Sequence, residues 1–212
     1  MPTTLTPAVA AALSTTDDGM LDDWMRSQLA STTMRRALID EDGLVAESRD
    51  FLAREYLPKI RLAIEPLDEA AIWWRANEQS NSIGNLMLHL AGNIRQWIVS
   101  GVGGAPSTRD RAAEFAAHSG SGVAELLANL EQVLDETDAV LAKVTAADLA
   151  TTRTIQGRDI TVLEAIYHVV EHFSLHLGQV VFIAKARAPG SVKFYEDAGG
   201  LARPIWPEQQ RR

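Results

Sequence analysis

Five histidines occur in the chain, and four of them fall where a helical reading turns them inward, so the chemistry this sequence offers is imidazole chemistry. One stretch reads His168-Val169-Val170-Glu171-His172-Phe173-Ser174-Leu175-His176-Leu177-Gly178-Gln179. Successive i, i+4 positions on a helix are offset by only about 40° around its axis. His172 and His176 can therefore address one point beside the helix. They share a stripe with Val169, Phe173, Val180 and Ile183, which is the side that faces a core. A third inward imidazole, His89, stands on a separate helical stretch beside Leu86, Leu90 and Asn93, with Asn85 one turn before it.

Three imidazoles from two neighbouring helices would form a site for a divalent transition metal, with one or more positions left for water or substrate. The alternative is that each histidine is a hydrogen-bonded core residue. An H-x₃-H pair with a third inward histidine weighs against that reading, as a lone buried histidine would not. His168 lies about 80° round from His176. It could pair with His172 or support the ligands from behind, as could Asn85, Asn93 and Gln179, since inward amides need partners. His118 falls in a loop and is expected to be exposed. Residues His168 to His172 also match the H-x-x-E-H pattern of inverted zinc peptidases, with Glu171 as base. That pattern is short, and the only later glutamates, Glu196 and Glu208, fall in the tail. Trp73, Trp74, Trp97 and Trp206 could line a pocket or simply pack.

The elements that must carry these residues are helical. Apolar residues recur at threes and fours from about Ser121 to Val144, and a second helix is expected from about Gly43 to Ile64, with a kink at Pro58. A third runs from about Ser82 to Ser100 and stops at Gly101, Gly103 and Gly104. The last begins at a capping box, Thr161 with Glu164, and continues to about Arg187 before Pro189-Gly190. Residues 151–160 read as a hairpin turning at Gly157. The expected fold is all-α, a four-helix bundle over residues 41–187. Residues 1–40 form an N-terminal helical extension, with a fragment at Met20 to Leu29, and 188–212 form an irregular C-terminal tail packed on the bundle.

Composition narrows the chemistry further. With 212 residues and 46% hydrophobic content the chain can bury a core. It has no cysteine, which excludes thiolate ligands, disulfides and cysteine nucleophiles. A net charge of −8 opposes a nucleic-acid partner. No long apolar run suggests a membrane span and no secretory signal is apparent, so a cytoplasmic location is expected.

The segment SNSIGNLMLHLAGNIRQWI, followed by HVVEHFSLHLGQV, resembles the DinB-like superfamily of metal-binding four-helix bundles, over about residues 44–187. The resemblance implies up-down-down-up topology and a divalent metal, zinc or nickel, held by His89, His172 and His176. It also implies a homodimer, which Ile94, Trp97, Ile98 and Val99, apolar beyond one stripe, would suit. Members with known activity are transferases or isomerases that use low-molecular-weight thiols. The expected function is a metal-dependent transferase or hydrolase that activates a small thiol or water for a small-molecule substrate. The competing expectation is a non-catalytic metal-binding module in stress response or structure.

Overall fold

Four long helical segments and two short hairpins make up most of the described chain, residues 41–206, in the computed structural model. The chain divides into two units, Met1–Leu44 and Val45–Arg212. Of the first, only the helical residues 41–44 fall in the described range, and the fragment expected at Met20 to Leu29 lies outside it.

Helix α1 comprises α-helical Glu41–Asp50, π-helical Phe51–Tyr56 and α-helical Leu57–Ile64. Proline has no N–H, and its ring crowds the carbonyl four residues back. The helix widens just before Pro58, where Leu57 N–H reaches back to the Leu52 carbonyl. The disturbance expected at this proline is thus a π stretch on its N-terminal side. A short helix, α2 (Glu69–Ile72), capped by Asp68, follows.

Helix α3 is α-helical over Ile83–Ile94 and π-helical over Arg95–Val102. A reciprocal capping box starts it: Ser82 Oγ accepts from Asn85 N–H at 3.1 Å, and Asn85 Oδ1 accepts from Ser82 N–H at 3.0 Å. Then come α4 (Arg111–Ala116), capped by Asp110, α5 (Val123–Leu141) and α6 (Ala146–Leu149). Strands β1 (Thr152–Ile155) and β2 (Arg158–Thr161) pair antiparallel. Their turn places Gln156 at φ 53° and Gly157 at φ 73°, which is the left-handed geometry a two-residue hairpin needs and glycine tolerates. Helix α7 (Val162–Arg187) begins at the expected Thr161–Glu164 capping box. In the tail, β3 (Tyr195–Asp197) and β4 (Ala202–Pro204) form a hairpin where irregular chain was expected.

Helix α7 packs against α3 and the Leu57–Ile64 part of α1, while α5 packs against α3 and the same part of α1. Ile60, Ile64, Leu86, Leu90, Ile94, Leu130 and Phe173 are all fully buried between them. Each such side chain contributes about 1.5–3 kcal/mol of transfer free energy. Like Ile94 just before them, Trp97, Ile98 and Val99 are buried, because the π stretch of α3 is packed by α5, α7 and β1. Their apolar surplus is consumed inside the chain. No helix among the described residues is long and apolar enough to cross a membrane.

Candidate metal centre

The ligand geometry follows from two helices. Helix α7 carries His172 and His176 one turn apart, and α3 packs beside it with His89 buried on the shared side. His172 Nε2 lies 3.2 Å from His89 Nε2 and 3.2 Å from His176 Nε2. The ligating atoms of the three residues all fall within 4.8 Å of one another. Nitrogens bound about 2.0–2.1 Å from one cation stand roughly 3–3.4 Å apart, so the spacing fits a shared ion.

The back of each ring differs. His176 Nδ1 stands 2.7 Å from Gln179 Oε1 and donates to it, which leaves Nε2 as a lone pair. His89 Nδ1 stands 2.9 Å from Glu114 Oε2 and 3.0 Å from Arg109 Nη2. His172 Nδ1 is buried with no hydrogen-bond partner. One proton on His172 Nε2 could serve only one of the two facing lone pairs. A cation satisfies all three nitrogens, and neutral imidazole is the form that ligates.

On α7 the electrostatics favour neutral rings. Burial, followed by the neighbouring imidazoles of His176, His89 and His168, pushes His172 down to about 3. Burial likewise lowers His176 and His168.

His168 does not join the three. Its Nε2 lies 3.3 Å from Asn93 Nδ2, and its ring stacks on Trp97 with centroids 3.8 Å apart. Asn93 is buried, and its Oδ1 has no partner. The Asn85 side chain hydrogen-bonds no histidine: its Nδ2 donates to the carbonyls of Glu114 at 2.9 Å and Ala117 at 2.8 Å. His118 and Glu171 are exposed. Trp73 donates from Nε1 to the Ser121 carbonyl at 3.1 Å, seated where a Cβ on Gly84 would come within 2.6 Å of its ring. Trp206 is buried with Lys59 over its ring.

Sequence reasoning passed over Arg109 and Glu114. Both side chains are buried, and Arg109 grips the carboxylate twice, Nε to Oε1 at 2.6 Å and Nη2 to Oε2 at 2.8 Å. Burial alone would raise the Glu114 carboxyl, but hydrogen bonds from Arg109 and His89 outweigh it and hold the group below the usual range. The available signal was local: Asp110 followed by Arg111, Ala112, Ala113 and Glu114 is a helix start.

Two cavities flank the centre. One of about 520 Å³ is lined by Trp74, Leu86, Leu175, Gln179 and Phe182, among others, and so adjoins His176 through Gln179. Another of about 310 Å³ lies against Gly92, Gln96, Arg109 and Glu114.

A family model described as "Protein of unknown function (DUF1572)" matches residues 46–193, a span that contains all three histidines. No curated protein matches the chain.

Proposed function

The chain belongs to the DUF1572 family, a DinB-like family, and from that premise we propose that it binds one divalent transition metal, zinc or nickel, and uses it on a small molecule. The convergence of His89, His172 and His176 Nε2 atoms carries this reading. The four long helices suit the up-down-down-up bundle of that superfamily, with the site between α3 and α7. A bound divalent cation supplies Lewis acidity that favours the deprotonated form of a thiol or water.

The chain's own groups do the rest. Three neutral imidazoles hold the cation, Gln179 fixes the His176 ring, and the cavity beside Trp74 and Phe182 receives the apolar part of a substrate. A closed structural site takes four protein donors. The cluster among the described residues has three, which favours a reaction, transfer to a small thiol or hydrolysis, over a purely structural ion. Purified protein should contain one equivalent of metal by elemental analysis. The reconstituted protein should turn over an electrophile such as monochlorobimane with at least one low-molecular-weight thiol, or hydrolyse an activated ester. No metal at one equivalent would reject the site, and metal without turnover on either panel would reject the catalytic reading.

The assembly we propose is a homodimer, and α7 supplies its surface. Leu163, Tyr167, Leu175 and Phe182 are 41%, 68%, 56% and 75% exposed and fall within about 120° of arc. Exposed apolar side chains gathered on one helix face are what a contact surface offers. Light scattering at micromolar concentration should give twice the chain mass, and Tyr167→Glu with Phe182→Glu should give the monomer. A monomeric wild type would reject the dimer.

A further inference from the structure

The Arg109–Glu114 pair is poorly explained by stability. Taking both charges out of water is costly, and an apolar pair of similar volume would commonly hold the loop as well or better. Its position supplies a different reason. Glu114 Oε2 lies 2.9 Å from His89 Nδ1, on the side of the ring opposite the atom that faces His172. The carboxylate is thus too far round to be a ligand itself.

We infer that Glu114 is a positioning residue for the metal: aimed by Arg109 and admitted by Gly92, it holds His89 with its Nδ1 proton toward the carboxylate and its Nε2 lone pair toward the site. This rests on the metal reading above. Both Arg109 Nη2 and His89 Nδ1 approach Oε2, at 2.8 Å and 2.9 Å. Nη2 has a second proton, but an Nδ1 left bare to accept it would face Oε2 lone pair to lone pair at 2.9 Å, so the 3.0 Å contact between Nη2 and Nδ1 is a shared approach to one oxygen. A carboxylate accepts and cannot donate, which leaves the proton on Nδ1. Such a partner also raises the basicity of the ligating nitrogen.

Three further contacts fix the carboxylate. Arg109 Nη1 donates to Gln96 Oε1 at 2.8 Å, and Gln156 of the β1–β2 turn donates to the same oxygen at 2.7 Å. Asn85 Nδ2 holds the Glu114 carbonyl, so the capping residue of α3 also seats α4. Gly92, one turn after the ligand on α3, leaves the passage. A Cβ there would overlap Glu114 Oε1, standing 2.9 Å from its Cδ and 3.0 Å from Arg109 Nε. A larger residue at 92 therefore crowds the carboxylate in the place from which it meets His89.

The test titrates Co²⁺, as the metal alone, into full-length wild type, Glu114→Gln and Gly92→Ala, reading affinity and the visible ligand-field spectrum, with the thermal midpoint of each metal-free protein alongside. Both variants should bind about 10–100-fold more weakly, and Gly92→Ala should shift the spectrum although no ligand is changed. Glu114→Asp in the Gly92→Ala background shortens the offending side chain and should recover part of the affinity. In wild type, imidazole ¹⁵N shifts should report His89 protonated at Nδ1 before metal is added, a measurement independent of whether the variants fold. Wild-type affinity and spectrum in both variants, or a His89 proton on Nε2, would overturn the role of Glu114 while leaving the site. Failure of wild type itself to bind Co²⁺ would overturn the site and this role together.

Discussion

His172→Ala should remove stoichiometric metal while leaving the metal-free protein folded, because His172 is the middle of the three imidazoles and contributes no other bond. Its Nε2 is 3.2 Å from each neighbour and its Nδ1 has no partner. Loss of a ligand should exceed the roughly 10–100-fold loss that follows from removing a supporting partner, so affinity should fall by more than about 100-fold in a Zn²⁺ competition titration. The same variant should change the pH dependence of stability. In the native metal-free protein burial and the adjacent histidines hold His172 at about 3, against about 6.5 unfolded. Between those values the unfolded chain binds a proton that the native chain does not. Wild-type stability therefore falls on acidification below about 6.5, by at most about 1.4 kcal/mol per pH unit for this group. Urea melts of His172→Ala between pH 7 and pH 4 should lose less than wild type does. Equal slopes would mean that the ring is solvated, and one equivalent of metal in the variant would mean that the ion sits elsewhere.

The residues legible from the sequence are those whose placement depends on helical period alone. His172 and His176 share a face because they are one turn apart, and His89 joins them because its apolar neighbours Leu86 and Leu90 point the same way into the core. Glu114 and Arg109 depend on where the segment between α3 and α5 closes, and no periodicity encodes that. Helix α4 has six residues, Arg111–Ala116, too few for an apolar stripe to show. Asn85 was recognisable as an inward amide, yet its partners are carbonyls 29 and 32 residues away, so its task of seating α4 could not be read. Ile94, Trp97, Ile98 and Val99 looked surplus to one stripe because a sequence does not reveal how many neighbours a helix has. With α5, α7 and β1 all packed on that stretch, an all-round apolar surface is what burial requires.

Arg109→Met should give a large loss of stability at a position that never touches the ion. The guanidinium and the carboxylate are 6% and 9% exposed, so removing the cation leaves a carboxylate in the interior with only His89 to answer it. Breaking a buried pair from one side costs about 3–5 kcal/mol, or roughly 10 °C in thermal midpoint for a chain of this size. Removing both charges, in Arg109→Met with Glu114→Leu, should return most of that stability, because the penalty belongs to the orphaned charge. The sign of the acid response distinguishes this from lost packing. In wild type the Glu114 carboxyl lies below its ordinary value, since the bonds from Arg109 and His89 outweigh burial. It therefore contributes stability that is present above the unfolded carboxyl pKa near 4.3 and lost as pH falls through the lower native value. Without Arg109 the burial penalty, which raises the group, is left largely unopposed, and protonation then relieves the variant. The gap between wild type and Arg109→Met in urea melts should narrow from pH 7 toward pH 4; a pH-independent gap would assign the loss to packing of the arginine side chain. The double variant should be stable yet bind Co²⁺ weakly, because the ion pair was holding His89 rather than the fold.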